Sequence, residues 1–64
     1  MNKKISLDKK FRTIYASLPL NVRTEIIVVI NGKPISWNLA FEEIENETNL
    51  SKEILKALEN LEII

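Results

Sequence analysis

Four carboxylates crowd the stretch FEEIENE, at Glu42, Glu43, Glu45 and Glu47. Carboxylates do general acid–base chemistry when their surroundings shift one of them toward neutral pH. Several that converge can instead hold a hard cation. On a helix, however, these four spread along a face that is largely exposed. No twelve-residue calcium loop with its turn glycine surrounds them. A solvated acidic face is the expectation.

The other reactive side chains fare no better. The chain has no Cys and no His, which excludes disulfides, ordinary Zn, Cu or Fe sites and histidine acid–base chemistry. Ser17, Ser36 and Ser51 have no base to activate them, and Ser51 reads as a helix cap. NGKPIS contains Gly32-Lys33 but lacks the rest of a phosphate-binding loop. No catalytic residue, metal ligand or cofactor site is expected, so the reading is of a non-enzymatic protein that needs no cofactor. The remaining cluster is basic: Lys3, Lys4, Lys9, Lys10 and Arg12 against Asp8 give residues 1–12 a net charge of +4. These five are the candidate nucleic-acid contacts, through phosphate neutralisation.

Residues 6–18, SLDKKFRTIYASL, predict the helix that carries these bases. Leu7, Phe11, Ile14, Tyr15 and Leu18 fall within about 100° of arc at helical spacing. Ser6 is the expected N-cap and Asp8 suits the first turn. Pro19 ends the helix, because the residue before a proline avoids the α region.

IIVVINGKPISW, residues 26–37, admits a capped helix or a hairpin. As a helix, residues 20–30 would leave no polar face, and 64 residues cannot surround such an element. The run Ile26–Ile30 is entirely β-branched and favours strand. Asn31-Gly32 suits the positive φ angles of a type I′ turn. The expectation is therefore a β-hairpin over about residues 24–37. A two-residue turn would set Ile30 against Lys33, Val28 against Ile35 and Ile26 against Trp37. Ile26, Val28, Ile30, Ile35 and Trp37 would then share the core face. Ile27, Val29 and Pro34 would remain on the other face, too apolar for one open to water. Pro34 marks its strand as an edge.

Residues 38–48 and 51–62 predict two more helices. Ser36 or Asn38 would cap the first, with Ala40, Phe41, Ile44 and Thr48 beneath Trp37. Ser51 would cap the second, with Leu50, Ile54, Ala57, Leu58 and Leu61 in a stripe. Ile63 falls off that stripe, so either it is exposed or the tail turns near Leu61. The fold class is α+β: an N-terminal helix, a hairpin and two C-terminal helices in one small domain, residues 1–64. The alternative is an all-α helix-turn-helix with little strand.

FEEIENETNLSKEILKALENLEII, with Leu39 and Ala40 just before it, resembles the helix-turn-helix core of winged-helix regulators. The matching positions are Leu39, Ala40 and Ile44, then Leu50, Ser51 and Lys52, then Leu58 and Leu61. Asn49 stands where that pattern has its turn glycine. The same stretch is also similar to ribbon-helix-helix proteins. The resemblance covers at most residues 39–64 and implies a DNA-binding transcriptional regulator.

Electrostatics oppose DNA on this helix pair. Residues 38–64 carry seven Glu against Lys52 and Lys56, a net charge of −5, which the phosphate backbone repels. Only Asn60 offers a bidentate base contact. The middle of the chain carries +1, and the whole is neutral. Acidic helices could instead cover a basic partner, as in an adaptor or antitoxin.

A chain this short buries only about 60% of the surface its unfolded form exposes. Without disulfide or metal, oligomerisation is the remaining help. The longest unbroken apolar run is Ile26–Ile30, far below membrane-spanning length, and no signal sequence is apparent, so a cytoplasmic location is expected. The leading expectation is a protein-interaction module that forms a homo-oligomer, a dimer, through Ile27, Val29 and Pro34. The alternative is the DNA-binding regulator.

Overall fold

The computed structural model describes residues 6–64. Its elements run α1 (Leu7–Ser17), β1 (Ile26–Ile30), β2 (Lys33–Ser36), α2 (Trp37–Glu45) and α3 (Asn49–Asn60). A 3₁₀ turn at Val22–Thr24 joins α1 to β1. This is an α+β fold, with the hairpin expected and not the all-α alternative.

The α1 helix forms where its apolar stripe predicts. Phe11 is fully buried, and Ile14, Tyr15 and Leu18 pack half-buried around the same core. Ser6 occupies the N-cap position, but its hydroxyl does not bond the helix N–H groups. Leu18, at ψ 140°, leaves the helix as the following proline demands.

The hairpin turns through Asn31 (φ 52°) and Gly32 (φ 80°), the positive angles of a type I′ turn. Ile30 pairs with Lys33 and Val28 with Ile35 as expected. Beyond that point the register shifts, and Ile26 lies opposite Ser36. The Trp37 N–H donates to the Glu25 carbonyl at 3.3 Å. From the Val28–Ile35 pair to that bond, β1 advances one residue more than β2. The surplus residue is a bulge at Ile26–Ile27.

The bulge corrects the assignment of faces. Ile27 packs against the core, whereas Ile26 is 55% exposed. Ile26 therefore does not face Trp37. Trp37 itself opens α2 and does not end β2. The physical cause is a conflict between the two ends of the hairpin. The tight turn sets register at the tip, while the helix start at Trp37 sets it at the base. One residue does not fit between them.

The Ser36 hydroxyl caps α2, accepting from the Leu39 N–H at 3.1 Å. That helix ends with Glu47 left-handed (φ 53°), the Glu47 N–H bonding the Ile44 carbonyl and the Thr48 N–H bonding the Glu43 carbonyl. This is a Schellman termination with glutamate in the place that favours glycine. Thr48 then caps α3, its hydroxyl oxygen accepting from the Ser51 N–H at 3.1 Å. Ser51 is thus not the cap. It lies inside the first turn, buried, and its hydroxyl donates to the Thr48 carbonyl. The polar cap was displaced three residues upstream because Asn49 and Leu50 continue the helix.

The α3 helix ends in a second Schellman motif, with Glu62 at φ 60° and the Ile63 N–H donating to the Leu58 carbonyl at 2.9 Å. The tail therefore turns, and Ile63 and Ile64 pack on the core. Leu61, expected in the buried stripe, is 58% exposed because it is the helix C-cap.

Phe11, Ile35, Trp37, Ala40, Ile44, Ile54 and Leu58 form the core. Each fully buried large side chain is worth about 1.5–3 kcal/mol. Aromatic packing joins the helices: Phe11 and Trp37 centroids lie 5.5 Å apart, and Tyr15 stacks on Phe41 at 4.3 Å.

Candidate interaction surface

The outer hairpin face is built by strand alternation and altered by the bulge. Val29 lies opposite Pro34, and Ile26 lies opposite Ser36, so these four share the face turned from the core. Val29 is 60% exposed and Pro34 is exposed. Of the residues expected there, Val29 and Pro34 are present, while Ile26 takes the place of Ile27. The signal for that exchange lay in Ser36-Trp37. A serine that caps a helix is the last residue the strand can use, so the strand stops at Ser36 and Trp37 begins the helix.

A groove of about 360 Å³ runs beside this strand, between the hairpin tip and α3. Val29, Ile30 and Asn31 line one side, and Glu53, Lys56 and Ala57 the other. Its wall thus carries one carboxylate and one ammonium. Val29 belongs to both the groove and the outer face.

The basic residues divide. Lys3 and Lys4 lie outside the described residues. Lys9 and Lys10 are exposed on α1, beside a hollow of about 330 Å³ bordered also by Thr13, Ile14 and Ile64. Arg12 instead pairs with Glu45 of α2 at 2.8 Å. The basic head and the acidic helices therefore meet within one chain, through a half-exposed pair of the kind worth at most about 1 kcal/mol.

The four clustered glutamates remain apart in role. Glu43 accepts a hydrogen bond from the Thr48 hydroxyl at 2.6 Å, and Glu45 holds Arg12. Glu42 and Glu47 are exposed. Among the described residues, no three His, Cys, Asp or Glu side chains are grouped to hold a metal ion. Asp8 has its carboxyl held below the ordinary value, first by the Ser6 hydroxyl and then by the Lys9 N–H and the charge of Arg12.

In the helix pair, Ala40, Ile44, Ser51 and Leu58 are buried, Leu39 and Leu50 half-buried, and Lys52 and Leu61 exposed. Asn60 is exposed at the end of α3 and borders the groove beside Val29.

A further cluster joins the 3₁₀ turn to α1 and α2. The Arg23 guanidinium lies 4.4 Å from the Tyr15 ring centre, and Tyr15 stacks in turn on Phe41. The Tyr15 hydroxyl donates to Asn38 Oδ1 at 2.6 Å. Arg23 donates weakly to the Ala16 carbonyl at 3.5 Å, and its buried Nε has no partner among the described residues. A cation over the ring face compensates part of that loss. The sequence placed Tyr15 on the α1 stripe, but only the 3₁₀ turn brings Arg23 over it.

No described helix is long and apolar enough to cross a membrane. Comparison with family models, curated proteins and solved structures finds no match for the chain.

Proposed function

We propose that the protein is a non-enzymatic interaction module that associates with a second copy of itself through its hairpin. The observation that carries this reading is the outer face, where Val29 lies opposite Pro34, both exposed, and Ile26 is exposed on the same side of the hairpin. Scattered exposed apolar residues are ordinary, but a contiguous group marks a contact surface. A lone two-stranded sheet is marginal without further cover. The chain carries no net charge, so copies meet no overall repulsion.

The experiment is native mass by light scattering, with and without duplex DNA. The wild type is expected to run as a dimer at high concentration, and Ile26→Lys with Val29→Lys as a monomer with unchanged helix content. A monomeric wild type overturns the reading. A DNA-dependent increase in mass that falls steeply with salt and is lost on neutralising Lys9, Lys10 and Arg12 would replace it with the regulator.

A further inference from the structure

We infer that two copies join edge to edge, β1 pairing antiparallel with the second copy's β1 about a two-fold axis at Val29. This rests on the self-association proposed above and specifies its geometry: a four-stranded sheet in the order β2, β1, β1, β2. The hairpin itself dictates which edge is available. In a two-residue turn the flanking residues exchange both backbone hydrogen bonds, and the pairs then alternate. Ile30–Lys33 and Val28–Ile35 are bonded pairs, so Val29 and Pro34 aim their backbone groups away from each other.

The two outward-facing positions are not equivalent. On β2 the residue is Pro34, which has no N–H, so that edge offers an acceptor without a donor. On β1 it is Val29, which has both. Among the described residues, no backbone or side-chain group of another element bonds the Val29 N–H or carbonyl. Among the described residues, one edge of the sheet is closed by proline and the other keeps unbonded outward groups at Val29. Val29 is flanked by Val28 and Ile30, whose β-branched side chains suit a paired strand.

A second copy is the occupant this edge fits. Antiparallel alignment about Val29 sets each Val29 donor against the other's acceptor, so one self-complementary rung satisfies four groups at once. The same rung brings the two exposed Val29 side chains together on the outer face, where directly opposed β-branched residues are favourable neighbours. The adjoining groove presents Glu53 and Lys56 together, so it favours neither a strongly acidic nor a strongly basic partner. The bulge at Ile26–Ile27 ends the regular edge on one side and the turn at Asn31 on the other. The pairing is therefore short, and the dimer is concentration-dependent.

The test uses the full chain made by chemical synthesis with an N-methyl group on Val29. The change removes one outward donor, leaves every side chain in place, and touches no hydrogen bond among the described residues. Sedimentation across a concentration series should show association weakened at least tenfold, with helix content unchanged. In the wild type, exchange of the Val29 amide proton should slow as concentration rises, a readout that needs no variant to fold. A dimer unaffected by N-methylation, with the Val29 amide exchanging at one rate throughout, overturns edge pairing while leaving association through the outer face intact. A wild type that stays monomeric overturns both.

Discussion

Val29 and Pro34 face each other across the hairpin, one carrying an outward N–H and the other unable to. That pair makes the sheet asymmetric among the described residues, with β2 closed by proline and β1 keeping an outward donor and acceptor. It also places two apolar side chains on the face away from the core. The association proposed here depends on both consequences.

The bulge divides neighbouring isoleucines into different roles. Ile26→Lys should leave monomer stability within about 0.5 kcal/mol, as surface changes generally do. Ile27→Ala should cost about 1–2 kcal/mol, below the range for fully buried isoleucine because Ile27 is only partly covered. Urea unfolding under dilute conditions measures both. Equal effects would place the two side chains in the same environment.

Gly32 should resist replacement for a backbone reason alone. Among the described residues, nothing beyond its own chain neighbours lies within 4 Å of where its Cβ would be, yet its φ is +80°. Gly32→Ala should therefore destabilise by about 1–2 kcal/mol through left-handed strain and not through a clash. A D-alanine at the same position, which prefers positive φ, should restore stability in a thermal melt.

Glu47 and Glu62 occupy left-handed positions at the ends of α2 and α3. Glycine takes that conformation without the Cβ penalty, though it gains more entropy on unfolding. Glu47→Gly and Glu62→Gly should each stabilise by about 0.5–1 kcal/mol, seen as a higher denaturant midpoint. The predicted sign is opposite to that of glycine inside a helix.

Thr48 holds the junction of α2 and α3, accepting from the Ser51 N–H while donating to Glu43. Thr48→Ala should cost about 1–2 kcal/mol as an N-cap loss. Thr48→Ser, which keeps the hydroxyl, should recover most of it. Comparison of the two by equilibrium unfolding separates the hydrogen bonds from the packing of the methyl group.

Asp8 sets a pH dependence of known sign. Its carboxyl is held below the ordinary value, so folding favours its charged form. The stability it adds is fully present above the unfolded-state value and is lost as pH falls through the lowered folded one. Asp8→Asn should flatten stability across that acid window, and NMR titration of Asp8 should give a midpoint below that of an unstructured aspartate.

Local rules accounted for much of the fold. Helical spacing in residues 6–18 and the proline after Leu18 delimit α1, and Asn31-Gly32 supplies a turn that few other dipeptides can. The polar residues near the helix starts were legible as a class, because any Ser, Thr or Asn there can accept the first free N–H groups. Which one does so depends on where the helix begins, and that choice fell to Thr48. The candidate surface was legible in part: Val29 and Pro34 follow from alternation counted out from the turn.

The sequence by itself determined the elements and their order, because caps, turns and amphipathic stripes act within a few residues. Only the tertiary structure decided which isoleucine faces water, since the bulge reconciles a register set at the turn with one set at Trp37. It also decided that Arg12 meets Glu45, that Arg23 lies over Tyr15, and that the tail folds Ile63 and Ile64 onto the core. Each of those depends on segments brought together through packing, and no local preference encodes it.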